Sequence, residues 1–211
     1  SGTDIDQNDT VFTASNLPLK MLLDLAYNIR PDLIFGVPAP LASMRFDIQA
    51  KILDADPQAL KKLTEAQRRA MFLPILRDRF HVQAHTEEKT LPLYELVVLP
   101  GGPRFKPSAV QDLDSANTTV HNTALTATHI PMKDLAHTLS NQMHRTVIDK
   151  TGLTGVYDVE LKWSRDDAPP ADDAPPTLVT ALQEQLGLKL QPAKGPVLTL
   201  VVDHAEPPTE N

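Results

Sequence analysis

Seven histidines are the side chains of this sequence best suited to bind a metal ion or to transfer protons. His81 and His85 are four residues apart on a predicted strand, so they share a face but lie roughly 13 Å apart. His137 and His144 are seven residues apart on a predicted helix, roughly 10 Å along its axis. Both separations are too long for one metal ion. The sequence therefore predicts surface histidines, no metal site and no cofactor.

Motifs for covalent catalysis do not occur in the chain. Asp203 and His204 are neighbours on a predicted strand, so their side chains point to opposite faces. No serine stands in a G-x-S-x-G elbow, and no lysine stands in a phosphate-binding loop. A catalytic triad built from distant segments stays open, because triads are defined by geometry rather than by order. We therefore assign no catalytic residues.

Two aspartates, Asp47 and Asp158, occupy similar places in similar strings of sequence. Paired carboxylates can carry out acid–base chemistry. Both residues fall on the polar face of a predicted strand, where a structural hydrogen bond is the simpler role. We favour the structural role.

Glycines at two places invite comparison with anion-binding loops. Gly152 and Gly155 lie in the string DKTGLTG, but a strand follows this string, so there is no helix N-terminus to hold a phosphate. We predict a tight loop between strands. The string GGPRFK at 101–106 predicts the end of a first sheet, followed by a short basic loop.

The elements that must position these residues occur in two similar sets. Three segments of the first half are similar to three segments of the second half, in the same order: 12–20 and 125–133, 46–52 and 157–163, and 76–82 and 182–188. One interpretation is an ancient duplication. The other is that both halves use a common αβ pattern.

Apolar periodicity predicts helices and strands within each set. A helix over 17–29, capped by Asn16, has one apolar stripe, and its copy begins at Pro131. Strands at 46–52 and 157–163 alternate apolar and polar residues, which predicts one buried and one wet face.

Local signals mark the other helices. Thr64 opens a capping box for a helix that should break just before Pro74. A helix over 177–186 should stop at Gly187.

Each half should end in a hairpin. The predicted pairs are 81–87 with 92–99 and 188–191 with 197–203, the second with a turn at Lys194-Gly195-Pro196. The predicted fold is α+β: two tandem strand-helix-strand-strand-helix-strand-strand units, with small mixed sheets packed on two helices each. The first unit should cover 1–105 and the second 124–211, joined by a linker at 106–123. A mobile, acidic, proline-rich loop is predicted at 164–176.

The bulk composition limits the classes of function. The chain has 211 residues and a formal charge of −7, which disfavours nucleic acid as a partner. It has no cysteine and no apolar stretch long enough to span a membrane. No signal peptide is visible. We expect that a leader has been removed before Ser1.

Several strings resemble a soil-associated, acidobacterial family of uncharacterised exported proteins. They are LLDLAY (22–27), RFDIQAK (45–51), DRF (78–80), YELVVLPGGP (94–103), DKTGLTGVY (149–157), QEQLGL (183–188) and VDHAEPP (202–208). The resemblance covers most of the chain. It implies an exported protein, periplasmic or extracellular, and it carries no known activity or catalytic residues. Members usually open with a further short strand, for which this sequence has no clear equivalent.

A more distant resemblance is to the short N-terminal domain of secretins and TonB-dependent receptors, which has a similar order of elements. Those domains act by contacting other proteins, so this resemblance implies a binding role by analogy of fold.

We therefore expect a protein-interaction or binding module of the cell envelope rather than an enzyme, with another envelope or secreted protein as its partner. The alternative is an envelope-associated hydrolase or a small-ligand binder with its site in the groove between the two units. The sequence leaves the binding residues and the oligomeric state open.

Overall fold

Helices and strands follow one another in a computed structural model, which describes residues 3–7, 11–52, 56–111, 116–164 and 175–208. The chain is an α+β protein, as predicted. It divides into two units: the first unit contains Ser1–Lys89 and Val197–Asn211, and the second unit contains Thr90–Pro196.

The elements of the first half are β1 (Asp4–Gln7), β2 (Val11–Leu17), α1 (Leu19–Tyr27), β3 (Ile34–Phe35), α2 (Ala39–Ser43), β4 (Phe46–Lys51), α3 (Pro57–Lys61), α4 (Glu65–Ala70), α5 (Leu73–Phe80) and β5 (Gln83–Val98). The elements of the second half are β6 (Lys106–Pro107), β7 (Asn117–His121), β8 (Ala124–Ile130), α6 (Met132–Met143), β9 (Val147–Asp149), β10 (Tyr157–Lys162), α7 (Leu178–Ala181), a wider helical turn (Leu182–Leu186) and β11 (Leu188–His204). A short 3₁₀ turn, Pro31–Leu33, precedes β3.

Helix α1 buries the predicted apolar stripe, which includes Leu19, Leu22 and Leu23. It begins later than predicted, because Pro18 is extended and takes the N-cap position without a side-chain hydrogen bond. Asn16 is not the cap: it belongs to β2 and has a left-handed backbone, with φ at 57°. The start of the helix is therefore set by the geometry of the preceding strand.

The predicted break before Pro74 is present. Helix α4 ends at Ala70 and α5 begins at Leu73, with Pro74 in its first turn. The N–H groups of a first turn have no acceptor within the helix, so the missing N–H of proline costs no helical hydrogen bond there. Thr64 and Gln67 form the predicted capping box through reciprocal hydrogen bonds. Local rules therefore decide these helix ends.

The first unit contains a three-stranded antiparallel sheet in the order β1-β2-β4. Strand β1 corrects the expectation that the chain lacks an opening strand. The register of β2 on β4 shifts between Ala14 and Leu17, at the left-handed Asn16. Such a bulge bends a strand and lets its side chains keep facing the core.

The second unit contains a four-stranded antiparallel sheet in the order β6-β10-β8-β7. Its side chains Tyr157, Val159 and Leu161 on β10 are buried and alternate with exposed ones, as predicted. Gly187, with φ at 67°, ends the wide helical turn where predicted. Strands β6 and β7 lie within the range expected to be a linker, 106–123, so the described part of this segment contributes two strands to the sheet.

The predicted terminal hairpins are wrong. Residues 83–98 and 188–204 each form one uninterrupted strand, β5 and β11, and these two strands are neighbours in a sheet. Lys194, Gly195 and Pro196 therefore continue β11 instead of turning. A Cβ atom on Gly195 would lie 3.2 Å from a methyl carbon of Leu93. The glycine thus serves close approach to the neighbouring strand rather than a reversal of the chain.

Strands β5 and β11 explain why the unit boundaries differ from the predicted ranges of 1–105 and 124–211. Each strand gives one part to each unit. In the first unit the end of β11 pairs in parallel with β3, Leu200 opposite Ile34. In the second unit β5 pairs in parallel with β9, Tyr94 opposite Val147. Of the predicted loop at 164–176, residues 165–174 lie outside the described residues.

The C-terminal part of β11 should be essential to the first unit. Leu200 is fully buried in that unit's core, whereas Leu198 on the same strand is 53% exposed. We expect Leu200→Ala to lower the free energy of unfolding by about 3 kcal/mol through loss of burial and a residual cavity. Leu198→Ala, the matched control, should change it by less than about 0.5 kcal/mol. Urea unfolding measures both, and equal effects would contradict this placement of β11.

Candidate functional site

Three of the seven histidines, His81, His85 and His204, lie in exposed contacts with carboxylates. His85 Nδ1 lies 2.8 Å from Asp203 Oδ2. His81 Nδ1 and His204 Nε2 lie 3.5 and 3.0 Å from the two carboxylate oxygens of Glu206. All five side chains are about half exposed, and such surface pairs contribute little to stability.

His81 is not on a strand as predicted: it ends α5 with φ at 48°, as His144 ends α6. His137 is exposed on α6. Asp203 and His204 contact different residues, His85 and Glu206. Within the described parts of the chain, no group of three or more His, Cys, Asp or Glu side chains is placed to hold a metal ion.

Asp47 and Asp158 make the same structural hydrogen bond in the two units. Asp47 Oδ1 accepts a bond of 2.9 Å from the backbone N–H of Asn16. Asp158 Oδ1 accepts one of 3.0 Å from the backbone N–H of His129. Asn16 and His129 both have left-handed backbones, with φ at 57° and 55°. The structural role favoured for the two aspartates is therefore present at both sites.

Asp158 receives a second hydrogen bond that distinguishes it from Asp47. The hydroxyl of Ser108, which is buried, donates to Asp158 Oδ1 at 2.6 Å. This bond, together with the one from the backbone of His129, holds the pKa of Asp158 below its usual value. Within the described residues, the only hydrogen bond to Asp47 is the one from Asn16.

The glycine strings have structural roles. The loop between β9 and β10 is closed by Asp149, whose Oδ1 accepts from the backbone and hydroxyl of Thr151. No helix follows this loop, as predicted. Arg104, in the predicted basic loop, donates from its backbone to Leu186 O at 2.9 Å and from its side chain to Glu184 O. It thereby satisfies carbonyls at the end of a helical turn.

Strand β4 lies at an edge of its sheet and is the strongest candidate for a binding site. Among the described strands it pairs only with β2, so its other edge presents backbone N–H and C=O groups without a strand partner. A groove of about 430 Å³ runs beside it. The lining residues are Phe46, Asp47, Ile48, Gln49, Ala50, Lys51, Ile75, Arg79, Phe80 and Pro208.

The floor of this groove is apolar. Phe46, Ile48 and Ala50 are half buried along β4, and the ring of Phe46 meets that of Phe80 edge to face, with centroids 4.9 Å apart. The polar residues of β4 point to the other face: Asp47 and Lys51 are exposed and roughly 13 Å apart along the strand. The residues that line the groove therefore supply an apolar floor on one face of β4, Asp47 and Lys51 on its other face, and a further cation, Arg79 of α5.

The corresponding strand of the second unit is covered. Strand β10 pairs with β8 on one edge and with β6 on the other, Tyr157 opposite Pro107 and Asp158 opposite Lys106. Its apolar side chains are buried, whereas those of β4 are only half buried. Sequence reasoning missed this difference because the two strands have the same alternation of residues. The segment that covers β10 contains Lys and Pro and therefore resembles a loop.

Together these features define an α+β protein of two units with an open edge strand beside an apolar groove. The chain belongs to the family described as protein of unknown function DUF3738, whose pattern matches residues 20–205. No curated protein and no solved structure shows a significant match to the chain. The predicted membership of a family without an assigned function is confirmed. The soil-associated origin and the likeness to secretin and TonB-dependent receptor domains stay predictions.

The helices of the described chain include none with the length and apolar character needed to cross a membrane.

The lowered pKa of Asp158 predicts a specific pH dependence. Its folded-state pKa lies below the unfolded value of about 3.9, so the stabilisation is complete well above that value and is lost as pH falls towards the folded-state pKa. Ser108→Ala removes the larger cause and should move the pKa of Asp158 back towards its usual value. NMR titration of the carboxyl carbon measures this shift. An unchanged titration in Ser108→Ala would contradict the role of the hydroxyl.

Proposed function

We propose that this chain is a protein-interaction module that binds an extended segment of a partner along the open edge of β4. The observation that carries the proposal is the strand-long groove: all six residues of β4 line it. A partner strand added there would form main-chain hydrogen bonds with β4 and place alternate side chains on the apolar floor.

The shape of the groove favours an extended ligand. Its volume of about 430 Å³ lies in the range of small-molecule pockets, which keeps a small-ligand binder as the alternative. However, the charged groups of β4 are spread along the strand rather than converging on one point, since Asp47 and Lys51 stand at opposite ends. An extended segment meets both ends at once. The hydrolase alternative stays a prediction.

We also propose that the two units derive from one duplicated strand-helix-strand ancestor. The matching features support it: β2 and β8 each carry a bulge with a left-handed residue, and each is held by an aspartate of the neighbouring strand. Each bulged strand leads into a helix that starts after an extended proline, Pro18 or Pro131. A shared pattern without common descent would not require the same bulge at the same place.

The edge proposal predicts where peptides bind. From a phage-displayed library of random 12-residue peptides, selected on the whole protein, we expect ligands that perturb the backbone amide NMR signals of residues 46–51 and slow hydrogen exchange on the outer edge of β4. Main-chain pairing causes both effects. Selected peptides whose perturbations all map elsewhere would contradict the proposal.

Lys51→Glu is the variant for this experiment, and Lys162→Glu is its matched control. Both lysines are exposed, and each is the last residue of its strand, β4 or β10. The two substitutions change the net charge by the same amount, but only Lys51 lines the groove. Lys51→Glu should change peptide affinity and Lys162→Glu should not. Equal changes in affinity for the two variants would indicate a non-specific effect of charge rather than binding in the groove.

We propose that the module works outside the cytoplasm on an envelope or secreted protein, a location that rests on the family resemblance of the sequence. In the organism that makes it, the native protein should separate with the periplasm or the culture medium. Co-fractionation with a cytoplasmic marker enzyme would overturn the location and leave the edge proposal intact.

A further inference from the structure

We infer that the segment bound by β4 has the chemistry of this chain's own residues 105–108, Phe-Lys-Pro-Ser: an aromatic residue, a cation, a proline and a hydroxyl. The inference rests on the proposed function and specifies its ligand. Its basis is that the second unit already holds such a segment on the strand that corresponds to β4.

The segment 105–108 covers the edge of β10 through contacts of three kinds. Its backbone pairs antiparallel, with Lys106 opposite Asp158 and Pro107 opposite Tyr157. The ring of Phe105 meets the ring of Tyr157 edge to face, with centroids 5.3 Å apart. The Ser108 hydroxyl donates to Asp158 Oδ1 at 2.6 Å. These contacts show what an edge of this construction recognises.

The edge of β4 presents the same groups. Phe46 occupies the place of Tyr157, and Asp47 occupies the place of Asp158, as the pairing of the neighbouring strands shows: Leu17 lies opposite Phe46, and Ile130 lies opposite Tyr157. Both aspartates are fixed by a backbone N–H from a left-handed residue. The carboxylate of Asp47 is therefore already oriented to accept a ligand hydroxyl.

Charge complementarity with Lys51 adds one residue, on the N-terminal side, to the expected ligand sequence. In the antiparallel register of β6 on β10, a ligand cation would lie opposite Asp47. Lys51 is four residues further along β4, so it would lie opposite a ligand residue four positions before that cation. An acidic residue there completes the ligand as acidic-x-x-Phe-Lys-Pro-Ser. Proline suits its place because an edge strand tolerates a missing N–H.

The test uses a synthetic, end-capped peptide, Glu-Pro-Arg-Phe-Lys-Pro-Ser-Ala, which is the chain's own 102–109 with Glu in place of Gly102. Fluorescence anisotropy with the full chain measures its affinity. Replacing the peptide serine by alanine should weaken binding roughly tenfold, because the lost hydrogen bond is made to a charged group. In Asp47→Asn, which keeps an acceptor for Asn16, the same replacement should weaken binding by less than about threefold.

Two further protein variants test whether the peptide binds along β4 or along β10. Lys51→Glu should weaken binding of the peptide that begins with Glu and strengthen binding of a second peptide that has Lys in place of this Glu. Lys162→Glu should change neither affinity. Sensitivity to Lys162→Glu alone would mean that the peptide displaces residues 105–108 in the second unit, which overturns the inference. Circular dichroism melting checks that the variants fold.

The outcomes separate this inference from the proposed function. If library peptides bind along β4 but this peptide does not, or if its serine is dispensable, the stated ligand chemistry is wrong and the edge proposal stands. If neither kind of peptide binds β4, the proposed function itself fails.

Discussion

In each unit, a hydrogen bond from a backbone N–H to an aspartate on the neighbouring strand stabilises the bulge that precedes the first long helix. In the first unit the N–H of Asn16 is held by Asp47, and in the second that of His129 is held by Asp158. A left-handed backbone costs a non-glycine residue about 1–2 kcal/mol, and a bond of this kind offsets part of that cost. The bond joins the two strands where their register shifts, two residues before the extended proline that precedes the following helix.

This constraint links stability to the candidate binding site. The aspartate that stabilises the bulge belongs to β4 in one unit and to β10 in the other, so the carboxylate stands at the edge where a third strand can be added. In the second unit that place is taken by β6 and by the hydroxyl of Ser108. In the first unit the same strand lies beside a groove with an apolar floor. The two units therefore share a framework and differ in what covers it.

Long-range pairing overrode local turn signals in the last strands. Lys194-Gly195-Pro196 has the composition of a turn, yet it lies within β11, where β5 provides a neighbouring strand along the sheet. A glycine in a strand also serves close approach, as Gly195 does with Leu93. Because both long strands cross the unit boundary, the first unit is built from two separate stretches of the chain, and the second unit is the stretch between them.

The sequence by itself determined the α+β class, the apolar stripe of α1, the break before Pro74, the helix stop at Gly187 and the alternation of β4 and β10. Each depends on residues within a few positions of one another, where propensity and periodicity act. Only the tertiary structure decided that β5 and β11 run unbroken, that 106–107 is a strand and that β4 has a single partner among the described strands. Those features depend on which distant segment of the chain hydrogen-bonds to each strand. Two strands with the same alternation of apolar and polar residues have the same local sequence pattern, whatever strands lie beside them.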